Sequence, residues 1–225
     1  MKLKYFSHSA FQITTNEGQI ILIDPFLDDN PTCSVKSEDV TADFIVLTHA
    51  HGDHIGDAFK IAKRSNSLFI CVNELANYVA GKGFNAHNMH IGGGYNFAFG
   101  HLKFTIAHHG SMTPDNFYGG EAAGVVLSID NKILYHTGDT GLFYDMKLIG
   151  EMNDIDYMLL PIGDNFTMGI NDAVKAVELV NPKTAIPMHY NTFPVINADP
   201  NEFKMKINEL DKKCKVMEYG EEIEL

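Results

Sequence analysis

Thr48-His49-Ala50-His51-Gly52-Asp53-His54 puts three imidazoles and one carboxylate within six residues, and those are metal-ligand types. On an extended segment, residues two apart point the same way, so His49 and His51 can converge on one ion. Asp53 and His54 follow the Gly52 turn and can face a second ion. Imidazole and carboxylate donors suit zinc, manganese or iron. The bland alternative is a polar loop with incidental histidines. It is disfavoured because Phe44 to Thr48, a short apolar run that reads as a buried strand, leads straight into the cluster.

Elements that would position these groups are legible along the chain. Leu3 to Phe6, Phe11 to Thr15, Ile20 to Asp24, Leu68 to Val72, Tyr95 to Phe99, Leu102 to Ala107, Gly124 to Ile129, Ile133 to His136, Asp156 to Pro161, Thr184 to Met188 and Lys215 to Glu218 read as strands. Asp57 to Arg64, Glu74 to Ala80, Asn171 to Val180 (capped by Asn171 or its neighbour) and Pro200 to Leu210 read as helices. The order suggests two packed sheets with outer helices in a single domain, residues 1–225.

The cluster His-x-His-x-Asp-His resembles the signature of the metallo-β-lactamase-fold hydrolases. Further motifs agree in order: Asp24 after a strand, His109 before Gly110-Ser111, Asp139 in Thr137-Gly138-Asp139-Thr140, and His189 after a late strand. The stretches Ile162 to Gly169 and Met188 to Pro194 are similar to a branch of small metal-dependent hydrolases near the L-ascorbate-6-phosphate lactonase group. The resemblance implies an α/β fold, a four-layer αββα sandwich with its site at one edge. It implies two divalent metal ions, zinc foremost, with manganese or iron as alternatives. One takes His49, His51 and His109, the other Asp53, His54 and His189, and Asp139 bridges them. Asp53 and Asp139 thereby count as catalytic. Two dications acidify a shared water, so hydroxide is available near neutral pH to attack a lactone, ester, amide or phosphodiester.

Other residues admit two readings. Asp24 either accepts a hydrogen bond from a ligand histidine or caps a strand end before Pro25. His8 is either a substrate contact or a structural histidine. Asp164, Asn165, Tyr190 and Asn191 either contact substrate or hydrogen-bond within their loops. His108 competes with His109 for one role, and the resemblance favours His109. His136 reads as a neighbour of the site or a structural histidine, and Met168, Phe166 and Phe193 as core or cleft wall. Gly92 to Gly94 lacks the context of a phosphate loop.

With a formal charge of −12 and no basic stripe, the chain is a poor partner for nucleic acid. A small polar metabolite is the expected substrate. Cys33, Cys71 and Cys214 lack any C-x-x-C spacing, so a reducing cytoplasm is the simpler location. The N-terminus does not read as a signal peptide, and no apolar run approaches the roughly 18 residues of a membrane span. Glu221 to Glu224 reads as solvated surface. Proteins of the resembled kind often self-associate, so a homo-oligomer is possible. Three other functions compete. A di-iron oxidoreductase on the same fold typically has Glu at the place of His51 and adds a flavin domain. A phosphodiesterase acting on nucleotides would use the same metals. A non-catalytic metal binder would be expected to have lost a ligand.

Overall fold

The structure is a computed structural model describing residues 1–225. It holds two sheets of seven strands each. The first is built from β1 (Lys2–Ser7), β2 (Ala10–Thr14), β3 (Ile20–Ile23), β4 (Phe44–Val46), β5 (Leu68–Val72), β6 (Ala86–Met89) and β14 (Glu222–Glu224), in the order β14-β1-β2-β3-β4-β5-β6. The second uses β7 (Gly94–Phe97), β8 (Gly100–Ile106), β9 (Ala123–Ile129), β10 (Lys132–His136), β11 (Tyr157–Pro161), β12 (Thr184–Met188) and β13 (Lys213–Cys214), in the order β13-β12-β11-β10-β9-β8-β7. Helices α1 (Gly52–Ile55), α2 (Ala58–Ser65), α3 (Asn73–Gly81), α4 (Met146–Met152), α5 (Ile170–Val180) and α6 (Pro200–Glu209) complete the chain.

The continuous apolar strands β4, β5, β9, β11 and β12 are covered on both faces, as parallel or central strands require. Leu3, Ile13, Ile21, Phe104 and Leu127 fill the space between the sheets. Outside the second sheet, α5 presents Ala173, Ala176, Val177 and Val180, a helical spacing, to a separate core with Met158, Phe203 and Ile207. On the first sheet α2 and α3 bury Ile61, Leu75 and Val79. The result is the expected αββα sandwich.

Strand direction explains where the site lies. β1 and β3 are both antiparallel to β2, and β3 is parallel to β4, so β1, β3 and β4 end at one edge. By the same reasoning β8, β10, β11 and β12 share a direction. Their carboxyl ends deliver His8, Asp24, the 49–54 cluster, His109, Asp139 and His189, and such strand ends are where open α/β sheets place ligands.

Five details differ from the sequence reading. Lys215 to Glu218 is not a strand; the pairing residues are Lys213 and Cys214, beside β12. Glu221 to Glu224 is not merely solvated surface, because β14 pairs with β1. Lys2 answers the acidic side chains there, 3.0 Å from Glu222. The N-cap of α5 is Gly169, so Asn171 lies inside the helix. Strand β6 and helix α4 were not anticipated.

Candidate metal centre

Three positions at the site edge adopt left-handed backbone without being glycine: His8 (φ 55°), Asp24 (φ 47°) and His189 (φ 53°). Such conformations are uncommon for these residues and persist only where surrounding contacts fix them. Here each turns a side chain inward at a strand end. Gly56 (φ 44°) serves the same region: a Cβ there would lie 2.5 Å from the Pro25 carbonyl oxygen. Only glycine lets α1 pass so close to the turn after Asp24.

His49, His51 and His109 form one cluster with donor atoms within 4.8 Å of one another. His49 Nε2 lies 2.9 Å from His51 Nδ1. The His109 ring is 5.0 Å from that of His49 and 5.1 Å from that of His51. His108 is exposed and packs 4.9 Å from Phe143, so His109 is the histidine that faces the site. Ser111 Oγ accepts the Ala50 N–H at 3.2 Å, tying the two ligand loops together.

His54, Asp53 and His189 make the second cluster, and the same group includes His8. Asp139 Oδ2 sits between the clusters: 2.9 Å from His189 Nε2, 3.3 Å from His54 Nε2 and 3.7 Å from His109 Nε2. Asp24 lies behind them. Its Oδ1 accepts the Thr48 N–H at 2.9 Å, and its Oδ2 accepts Thr48 Oγ1–H at 2.6 Å and His54 Nδ1–H at 2.8 Å. Thr48 Oγ1, its proton committed to Asp24, accepts His49 Nδ1–H at 3.0 Å. One buried carboxylate therefore fixes the protons of two rings and leaves both Nε2 lone pairs facing the site. Sequence reading left the role of Asp24 open and overlooked Thr48, whose place next to His49 was the available signal.

Electrostatics fit a cation. Burial pushes Asp139 up, but His189 and His54 outweigh it and hold the carboxyl well below the usual range. Burial pushes His54 down, yet Asp139 and Asp24 carry it well above the ordinary imidazole value. Burial, helped by His54, holds His49 well below it. His54 Nε2 and Asp139 Oδ1 are buried without a hydrogen-bond partner; the 3.3 Å approach between the residues is of ion-pair range only, lacking hydrogen-bond alignment. Orphaned buried polar atoms are costly. Nitrogen and carboxylate donors converging in this way are what a divalent metal requires, and the residues fit it.

The remaining candidates divide. His8 is fully buried and joins the second cluster. His136 is structural: Nε2 donates to the Ser9 carbonyl at 3.1 Å, and Nδ1 accepts the Gly138 N–H. Tyr190 does not face the cluster. It packs in the outer core, with Tyr219, Glu218 and Cys214 as polar neighbours. Asn191 braces its own loop, Oδ1 accepting the Ala198 N–H at 2.9 Å. Asn165 is exposed, its N–H donating to Asp164 Oδ1.

Residues 19–190 match the Beta-lactamase superfamily domain, and the chain belongs to that superfamily. Within it, the chain is 51% identical over 230 residues to a UPF0173 metal-dependent hydrolase of Bacillus cereus, covering 100% of both, and equally to one of Bacillus anthracis. Among solved structures it is similar to Igni18, a metallo hydrolase from Ignicoccus hospitalis, at 42% identity and TM-score 0.91, covering 100% of this chain and 98% of that one. The family is that of the UPF0173 metal-dependent hydrolases.

Proposed function

We propose that this protein hydrolyses a lactone, ester, amide or phosphodiester of a small polar metabolite at a dinuclear metal centre. His49, His51 and His109 would hold one ion, Asp53, His54 and His189 the other, with Asp139 shared. Zinc, manganese and iron all match these donors. Divalent ions held there acidify water and offset charge developing on a substrate oxygen. The carrying observation is Asp139, whose Oδ2 lies within 3.7 Å of a histidine from each cluster while Oδ1 has no partner.

The chain's own residues prepare that chemistry. Asp24 and Thr48 set the ring protons, so His49 and His54 meet a cation with lone pairs. The buried walls beside His49, His54 and His189 exclude bulk water from one side. Asn165, exposed after β11, is a proposed substrate contact. Hydrolysis distinguishes this reading from a di-iron oxidoreductase, and His51 in place of Glu supports it. Purified protein loaded with manganese or zinc, tested on a panel of lactones, esters and phosphodiesters, should turn over at least one class, and His51→Ala should abolish that turnover. Equal rates from the variant would remove the proposal.

A further inference from the structure

The second cluster contains a donor that the resemblance does not supply. We propose that His8 is a direct ligand of the second metal ion, raising the protein donors there to five with Asp139. This inference rests on the dinuclear reading above.

Position comes first. His8 Nε2 is 3.3 Å from Asp53 Oδ2, and its ring centroid is 4.0 Å from that of His189. One donor atom from each of His8, Asp53, His54 and His189 lies within 4.8 Å of the others. Donors about 2.1 Å from a shared ion stand up to roughly 4.2 Å apart, so the four reach one coordination sphere with shifts of no more than about half an ångström.

The back of the ring supplies the second argument. His8 Nδ1 lies 3.0 Å from Thr192 Oγ1, and that hydroxyl donates to the Tyr190 carbonyl at 3.4 Å. In the tautomer that keeps this bond, Thr192 Oγ1 accepts Nδ1–H and Nε2 points a lone pair at the Asp53 carboxylate. Two acceptors facing each other across 3.3 Å call for a cation shared between them. The arrangement parallels His49, whose Nδ1 is likewise held by a threonine hydroxyl.

Third, the backbone is bent to deliver this ring. The β1–β2 register shifts between Tyr5 and Ser7, and His8 follows in the left-handed region. Its carbonyl is pinned by the His189 N–H at 2.8 Å and the Tyr5 hydroxyl at 3.1 Å. His8 and His189 are thus fixed to one another before any ion arrives.

Five donors, three nitrogens and two carboxylate oxygens, overfill the four-coordinate arrangement zinc adopts in closed sites. They suit manganese or iron, so the second position should favour these metals while the three-histidine position accepts zinc.

The test combines two readouts. Crystals of manganese-loaded wild-type protein, with anomalous scattering, should place the second ion about 2.0–2.2 Å from His8 Nε2. Dialysis of His8→Ala and His8→Gln against manganese alone should show the first equivalent unchanged. The second should weaken by more than the about 10–100-fold that loss of a ligand's hydrogen-bond partner costs. An ion in the second position that His8 does not touch, or both variants keeping their second equivalent, overturns the His8 assignment and leaves the dinuclear reading standing. A second position empty in wild-type protein overturns the dinuclear reading itself. If the variants fail to fold, the wild-type crystal decides.

Discussion

Replacing Asp24 by Asn should uncouple folding from metal binding. The carboxylate is fully buried and accepts three hydrogen bonds, from Thr48 N, Thr48 Oγ1 and His54 Nδ1. Asparagine keeps Oδ1 for the Thr48 N–H but places an amide donor where Oδ2 stood. Thr48 must then turn its proton toward His49 Nδ1, and His54 must move its proton from Nδ1 to Nε2. Both ligand nitrogens would face the site protonated. Loss of a ligand's hydrogen-bond partner costs about 10–100-fold in metal affinity; with one ring on each ion, each should bind about 10–100-fold more weakly, and the two together lose roughly 3–5 kcal/mol. Folding should change less. Two hydrogen bonds to a charged acceptor are lost, about 1.5–3 kcal/mol each. The several kcal/mol spent burying that charge is recovered. The proton that His54 moves to Nε2 faces Asp139 at 3.3 Å. The metal-free variant should therefore stay within about 2 kcal/mol of wild type by urea unfolding. Competition against a chromophoric chelator measures the affinities. Binding of both ions within threefold of wild type would refute the proton-setting role of Asp24.

Three further predictions follow the same logic. Thr48→Val removes the acceptor behind His49 and should weaken the three-histidine position by about 10–100-fold in chelator competition, with little effect on the other. Gly56→Ala forces a Cβ to within 2.8 Å of three backbone atoms of Pro25 and Phe26, so it should cost roughly 3 kcal/mol or more in chemical unfolding; a neutral result would contradict the packing described. Burial lowers His8 to about 4, so the folded protein binds that proton less tightly than the unfolded chain does. Its contribution is fully present above pH 6.5 and drains as pH falls toward 4, about 3 kcal/mol for this group. His49 and His136 shift the same way, whereas the raised His54 contributes constantly below pH 6.5. The metal-free protein should melt at lower temperature at pH 5 than at pH 7, and a flat profile would contradict this.

Much of the architecture was legible because it is written in local patterns. Phe44 to Val46 and Leu68 to Val72 are apolar runs bounded by turn residues, and α5 shows its spacing openly. Elements stabilised from elsewhere were hidden. β14 is two glutamates around one isoleucine, made into a strand by Lys2 and the ladder of β1. β6 reads Ala-His-Asn-Met and owes its conformation to pairing with β5. The 49–54 cluster announced itself because its donors are contiguous. His8 stood open between substrate contact and structural histidine, since its partners Asp53 and Thr192 lie 45 and 184 residues away. Tyr190 and Asn191 follow His189, and proximity in sequence suggested proximity to substrate. The left-handed turn at His189 instead sends the tyrosine into the core and the asparagine back onto its own loop.

Elemental analysis of protein dialysed to equilibrium with manganese or zinc bears most directly on a centre built from two side-chain clusters joined by Asp139. Wild-type protein should hold two equivalents per chain, His51→Ala and His189→Ala one each, and Asp139→Ala neither tightly. A single equivalent in wild type, or two retained without Asp139, would contradict it.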